Sequence, residues 1–449
     1  MWIKNSSKSS CTGMSRKIIT LAHLTVKKYL FTPGFILLIV VLLLIPFWSS
    51  FLRGDGTMEG KFKVFITYSF LLTSLILTIV NISFSCIAVS GEWKKKTLLL
   101  LDVKPVRRWE IILGKWVGLF TLNLVLIIAF LLSVTFSSLF LSQRLKKTFP
   151  RNDKNIFLTY TQVFPASFQE KAETKKPPLL NPPEATTSFP SSKGKETYAV
   201  PPRGKVVWNF KGIKNGSSDI YLVFRFYTSK KKKGVLGYWL VSNPSLETPM
   251  ELSTGFSPDK VHRLRIPSQA ISKKGELSLT YLNIEPSNVS VLFPRRELRI
   301  LYPWGSYWDN LFRGGINLLF IVGFISAIGM FFSTLVSTLT AVLSTSVLVF
   351  IAYLHDFVEM IVKSLAGGGG AQKAVGLIPR LSYPLLKFLI YLLPPLNKFL
   401  PHSYIGNSLI LNFFYLKDVF LRTILLGAIP VLIITMLYFS RRELGIPNE

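Results

Sequence analysis

Long apolar runs dominate the chain, and their length carries the first signal. Around Phe35–Leu52, Val64–Val89, Ile111–Leu141, Leu311–Phe332, Thr338–Val362 and Phe420–Phe439 the chain is apolar with few charges. About 20 such residues suffice for a helix to cross the hydrocarbon of a bilayer. The pattern predicts a polytopic α-helical membrane protein with six transmembrane helices. Ahead of them, SRKIITLAHLTVKKYL places Ile18, Ile19, Leu21, Leu24 and Leu30 mostly along one side of a helix, with Arg16, Lys17, Lys27 and Lys28 near its ends. This suits a helix lying on the inner membrane face with basic groups toward lipid phosphates. Thr32-Pro33-Gly34 breaks it before the first span.

A different rhythm begins after Leu141. Residues 143–203 are rich in Pro, Lys and Ser and read as a linker. From 204 to 305, short alternating runs such as KVVWNF, DIYLVFRFY and ELSLTYLNI are separated by turn signals. They predict an inserted all-β, sandwich-like domain. Apolar pieces in 363–419 are short or interrupted by Pro, so re-entrant or interfacial helices are expected there. The expected organisation is therefore a tail and interfacial helix (1–34), three spans (35–142), linker (143–203), β-domain (204–305), two spans (306–362), outer segment (363–419), and a last span with its tail (420–449).

The net charge of +30 brings basic patches into view. No zinc-finger spacing or aromatic RNA-binding motif accompanies them, so anionic membrane lipid is the expected partner and nucleic acid is not. Cys11 and Cys86 are the only cysteines, which provides neither a disulfide framework nor a metal quartet. The N-terminal segment has no signal-peptide core and reads as a retained tail. Basic residues beside the spans at the N-terminus, at 91–116 and at Arg441-Arg442 place those three on the cytoplasmic side by the positive-inside rule. The β-domain and the outer segment then face outward from the cell (inner) membrane.

Between the second and third spans lies GEWKKKTLLLLDVKPVRRWEIILGKW, Gly91–Trp116. It reads as a short helical elbow. Trp93 and the leucine run pack on the span ends, Lys94–Lys96 face water, and Pro105 opens the next helix. Gly114 and Gly118, four apart, permit close approach of another helix. From the residues alone the stretch is either a basic anchor or a docking element.

Gly91-Glu92, Thr97-Leu98, Lys104-Pro105-Val106-x-Arg108-Trp109-Glu110 and Leu113-Gly114-Lys115 resemble the pattern of ABC transporter permeases of the type-2 exporter class; Lys96 stands where that family usually has Gly. The resemblance implies that the elbow is a coupling helix docking on a separate ABC ATPase subunit. It also implies a homodimer or paired permease, and an extracytoplasmic β-domain inserted relative to compact members. Glu92, Trp93, Arg107, Arg108, Trp109 and Glu110 are then the expected ATPase-coupling residues, the charged ones as contacts and the tryptophans as seats at the bilayer edge.

Other candidates carry less. GDGTMEGKF has Gly54 and Gly60 one residue too far apart for a phosphate loop, and Phe62 replaces the required Ser or Thr. The chain is therefore expected to hold no cofactor and no catalytic set, with ATP and Mg used by the partner subunit. His355, Asp356 and Glu359 put two ligand-type side chains on one helical face with no third in view, so a polar cap rather than a metal site is expected. Asn81, Ser85 and Asn123 either line a substrate path or act as interhelical hydrogen-bond glue. The expected function is the membrane-spanning subunit of an ATP-driven exporter. The alternatives are a mechanical or assembly complex working through the β-domain, and a membrane-anchored binding protein.

Overall fold

The computed structural model describes residues 6–54, 57–94, 106–148, 157–171, 197–213, 220–230, 233–242, 250–252, 255–272, 274–284, 289–295, 297–367, 384, 386–387 and 390–441. The chain divides into two compact units, Met1–Phe157 with Ser306–Glu449, and Leu158–Gly305.

In the helical unit, α1 (Ser6–Leu30) gives way to α2 (Pro33–Ser49). Thr32 is extended and Pro33 takes the first helical position of α2, where a missing N–H costs nothing. The Thr32 hydroxyl donates to the Tyr29 carbonyl at 2.7 Å, and the α1 residues Arg16–Leu30 meet α2 at 76°. Next come α3 (Met58–Lys94), α4 (Arg108–Thr148) and α5 (Tyr307–Leu335). All three outrun their apolar cores, because flanking polar residues continue or cap them. Thr57 accepts the Gly60 N–H at 3.0 Å at the start of α3, and Ser306 accepts the Trp308 N–H at 3.3 Å at the start of α5.

The expected fifth span is not one helix. It divides into α6 (Thr338–Tyr353) and α7 (His355–Gly367), bent by 67° at Leu354. α6 alone is about 24 Å long at the helical rise, and the polar His355-Asp356 that follows turns aside. Two short helices, α8 (Leu396–Phe399) and α9 (His402–Gly406), precede the last span. That span runs as α10 (Phe413–Phe420), a π-helical stretch (Leu421–Ala428) and α11 (Ile429–Arg441). The widened turns come directly before Pro430, which has no N–H to continue the ladder. Among the described residues four helices are long and apolar enough to span a membrane, or six if each bent pair counts as one.

Packing between these helices rests on small residues, since lipid is as apolar as their side chains. Gly114 and Gly118 of α4 lie against α1: a Cβ on Gly114 would stand 2.6 Å from the Leu21 Cβ, and one on Gly118 2.7 Å from the Thr25 Cβ.

The β unit holds β1 (Leu158–Val163), β2 (Ser167–Lys171), β3 (Thr197–Val200), β4 (Lys205–Phe210), β5 (Ile220–Phe224), β6 (Tyr227–Thr228), β7 (Val235–Ser242), β8 (Met250–Leu252), β9 (Gly255–Phe256), β10 (His262–Ile266), β11 (Leu277–Asn283), β12 (Val291–Pro294) and β13 (Arg299–Ser306). They form three antiparallel sheets with orders β1-β13-β5-β10, β2-β4-β11-β7-β8 (β9 also on β7) and β3-β12-β6. β4 alternates intermediate and buried residues, as a one-face strand does, whereas β5 is buried throughout. Trp208, Trp239, Phe224, Tyr281 and Phe293 draw residues of all three sheets into one aromatic core. Three strands, β1 to β3, fall inside the stretch 143–203 that composition alone reads as linker.

Candidate coupling site

Where the elbow leaves and rejoins the helices, three charged side chains meet. Glu92, in the last turn of α3, accepts from Lys28 of α1 at 2.8 Å and from Lys115 of α4. Lys115 also donates to the Ala88 carbonyl at 2.7 Å. Its side chain is 5% exposed and that of Glu92 is 17% exposed. An ammonium so deeply placed persists only with a counter-charge and full hydrogen bonding. Glu92 provides the first and shares the second with the Ala88 carbonyl. One carboxylate thereby joins three helices: α1, α3 and α4.

At the far end of the elbow, Arg107 is the N-cap of α4 rather than part of it, and Glu110 sits three residues on. The Glu110 carboxylate accepts the Arg107 N–H at 2.8 Å. This is the return half of a capping box, and it leaves Glu110 buried. Arg108 reaches the Ser440 carbonyl of α11 at 3.4 Å, which joins the start of α4 to the end of the last span. The Arg107 side chain is exposed, while Trp93 and Trp109 are half-buried and Trp93 packs on the helical core. Farther along α4, Trp116 donates its indole N–H to the Gly323 carbonyl at 3.1 Å.

Glu92 and Glu110, expected as charged contacts to an ATPase, both have partners inside the chain. Each is engaged inside the chain, and of the four charged candidates Arg107 is the exposed one. Residues 95–105, with Lys96, Leu98–Leu101, Asp102 and Pro105, lie outside the described residues, as do Arg442–Leu444. Sequence reasoning missed Lys28 and Lys115 as partners of Glu92. The signal was present: Lys115 is the lone charge in the apolar run Ile111–Leu141, and Glu92 the first acid after Glu59.

Two of the path candidates in the spans, Asn81 and Asn123, are paired with each other. Asn123 donates to the Asn81 side-chain oxygen at 2.8 Å, Ser326 of α5 donates to the same oxygen at 2.9 Å, and Asn81 donates to the Val322 carbonyl at 2.6 Å. Ser85 is fully buried, donates to the Ile82 carbonyl at 3.1 Å, and faces Gly329, where any side chain would collide with it. The bonds of Asn81, Asn123 and Ser326 link α3, α4 and α5, while that of Ser85 stays within α3. Nearer the elbow, Ser333 donates to the Cys86 carbonyl at 2.6 Å and accepts the Ser90 N–H at 2.9 Å.

The segment before the last span is tied to the first turns of α5. Asn310 exchanges two hydrogen bonds with the backbone of Leu409 and Leu411 at 2.9 and 2.8 Å, Arg313 donates to the Leu411 carbonyl, and Asn317 donates to the Phe399 carbonyl. Beside it, His355, Asp356 and Glu359 bring one ligand-type atom each within 4.8 Å of the others. The polar-cap expectation counted two such side chains on one face; all three stand together at the start of α7.

No curated protein matches the chain. Residues 5–163, which hold α1 to α4 and β1, match the family described as ABC-2 family transporter protein. Apolar helices of membrane length, with a region of three antiparallel sheets inserted between them, complete the layout. Over residues 5–163, less than half of its length, the chain is similar to ABC-2 family transporter proteins.

Proposed function

We propose that this chain is the permease of an ATP-driven exporter, in which a separate ABC ATPase subunit docks on the elbow 91–116 and moves it. The ion cluster Lys28–Glu92–Lys115 carries this reading. It stands at the foot of the elbow and joins α1, α3 and α4, so a push on the elbow moves three helices together instead of bending one. Exposed Arg107 and neighbouring Arg108 are the contacts to the ATPase, and Trp93 and Trp109 seat the elbow at the bilayer edge. Glu92 and Glu110 hold the elbow's two ends in shape. ATP and Mg belong to the partner, and a second permease copy completes the transporter. The ends of the chain and the elbow lie in the cytoplasm, and the β unit lies outside the cell membrane.

One observation favours a second reading, an assembly or mechanical complex acting through the β unit. Asn81, Asn123 and Ser326 spend hydrogen bonds on one another across three helices.

The test is purification from membranes in mild detergent with an assay for co-purifying ATPase activity. The docking reading expects activity with the native chain and its loss with Arg107→Glu plus Arg108→Glu. A native chain free of any nucleotide-hydrolysing partner would sink it.

A further inference from the structure

The cluster at the α6–α7 bend has an unusual arrangement of acceptors. The His355 Nε2 lies 3.3 Å from the Ile390 carbonyl. A carbonyl only accepts, so this nitrogen carries the ring proton, and in the neutral imidazole Nδ1 presents its lone pair. That Nδ1 is buried without a hydrogen-bond partner, and His355 as a whole is 9% exposed. Its closest charged neighbour is the Asp356 Oδ1 at 3.9 Å. The two atoms are too far apart for a hydrogen bond, which leaves a buried ring nitrogen and a carboxylate oxygen directed into the same small space.

Both carboxylates are already positioned by neighbours. Asp356 Oδ2 accepts from the Asn397 side chain at 2.8 Å, and Oδ1 pairs with Lys398 at 2.7 Å. Glu359 Oε1 pairs with Lys363 at 2.7 Å, and Oε2 lies 3.7 Å from Lys398. The ammonium of Lys398 thus stands against both acids, while His355 Nδ1, which cannot pair with it as strongly as a carboxylate does, goes without. One imidazole nitrogen fixed in tautomer by a backbone carbonyl, with two carboxylates beside it, is a donor set for a borderline divalent cation. The carbonyl on the far ring nitrogen is the usual outer partner of a ligating histidine.

We propose that His355, Asp356 and Glu359 bind a divalent transition-metal ion of the zinc type, with Lys398 as the cation it displaces. Asp356 and Glu359 are partly exposed, so they are free to close the last distance onto an ion. Bound, the ion joins the first turn of α7 more firmly to the stretch around Ile390, which His355 already touches, and stiffens the bend at Leu354. This proposal does not depend on transport or on an ATPase.

The test uses the full chain in detergent, purified with a tag free of histidine and stripped with a chelator. Zinc is then titrated by calorimetry, and metal per chain is counted after dialysis. The proposal expects one ion per chain. It expects affinity to fall by about 100-fold in His355→Gln, a direct ligand costing at least what an outer partner does. It also expects binding to tighten in Lys398→Met, because the competing cation is gone. Absence of binding in the native chain would overturn it, as would binding unchanged by His355→Gln or weakened by Lys398→Met. His23→Gln serves as the control and should leave the titration unmoved.

Discussion

Two clusters of opposite charge lie near the two ends of α6. Near Thr338, whose hydroxyl meets that of Ser90 at 2.9 Å, is Lys28–Glu92–Lys115; just past Tyr353 is Asp356–Lys398–Glu359. In the first, Lys115 is 5% exposed, whereas Asp356 and Lys398 are 48% and 51% exposed. Burial decides what each can do. A desolvated pair cannot be separated cheaply, so Glu92 and Lys115 move as a block, while Lys28, 42% exposed, is tied to them less firmly. A solvated pair is worth about 1 kcal/mol or less, so its lysine can be exchanged for another cation. One cluster suits the passing of force, the other the exchange of an ion.

The sharpest way to break this contrast is Glu92→Gln. It leaves the Lys115 ammonium buried and without its counter-charge, at a cost of about 3–5 kcal/mol. Thermal unfolding in detergent should show a large fall, and adding Lys115→Met should recover most of it. Next in size is Gly118→Leu, whose Cβ alone would stand 2.7 Å from the Thr25 Cβ. Overpacking of that kind costs about 1–3 kcal/mol, read as a lower melting temperature with α1 more open to protease. Glu110→Ala removes the cap on the Arg107 N–H and should cost about 1 kcal/mol, again by melting. Asp356→Asn should cost less than any of these, about 1 kcal/mol or below. A fall as large as that of Glu92→Gln would erase the distinction between the clusters.

Much of the helical layout was legible because membrane-length apolar runs leave few other solutions. The GxxxG pair was legible for the same reason, although which helix it meets was not. Pairings were harder to see. Glu92 and Lys115 stand on different helices, so nothing in the local spacing announces them; a lone lysine in an apolar run only says that some acid must be near. The break at Leu354 escaped because hydropathy continues through Phe357 and Val358 while the backbone turns. Strands β1 to β3 escaped because flanking Pro and Lys dominate the composition of 143–203. His355 was visible as a ligand-type residue, but its empty Nδ1 depends on Ile390, 35 residues away.

The central claim is that the buried cluster carries motion from the elbow into the helices. Its most direct test is the hydrolysis rate of the co-purified ATPase bound to the native chain and to Glu92→Gln with Lys115→Met. The account predicts that both chains hold the partner, that the native chain shifts its rate away from that of the free ATPase, and that the neutral pair leaves it there. A neutral pair that shifts the rate as fully as the native chain would contradict it.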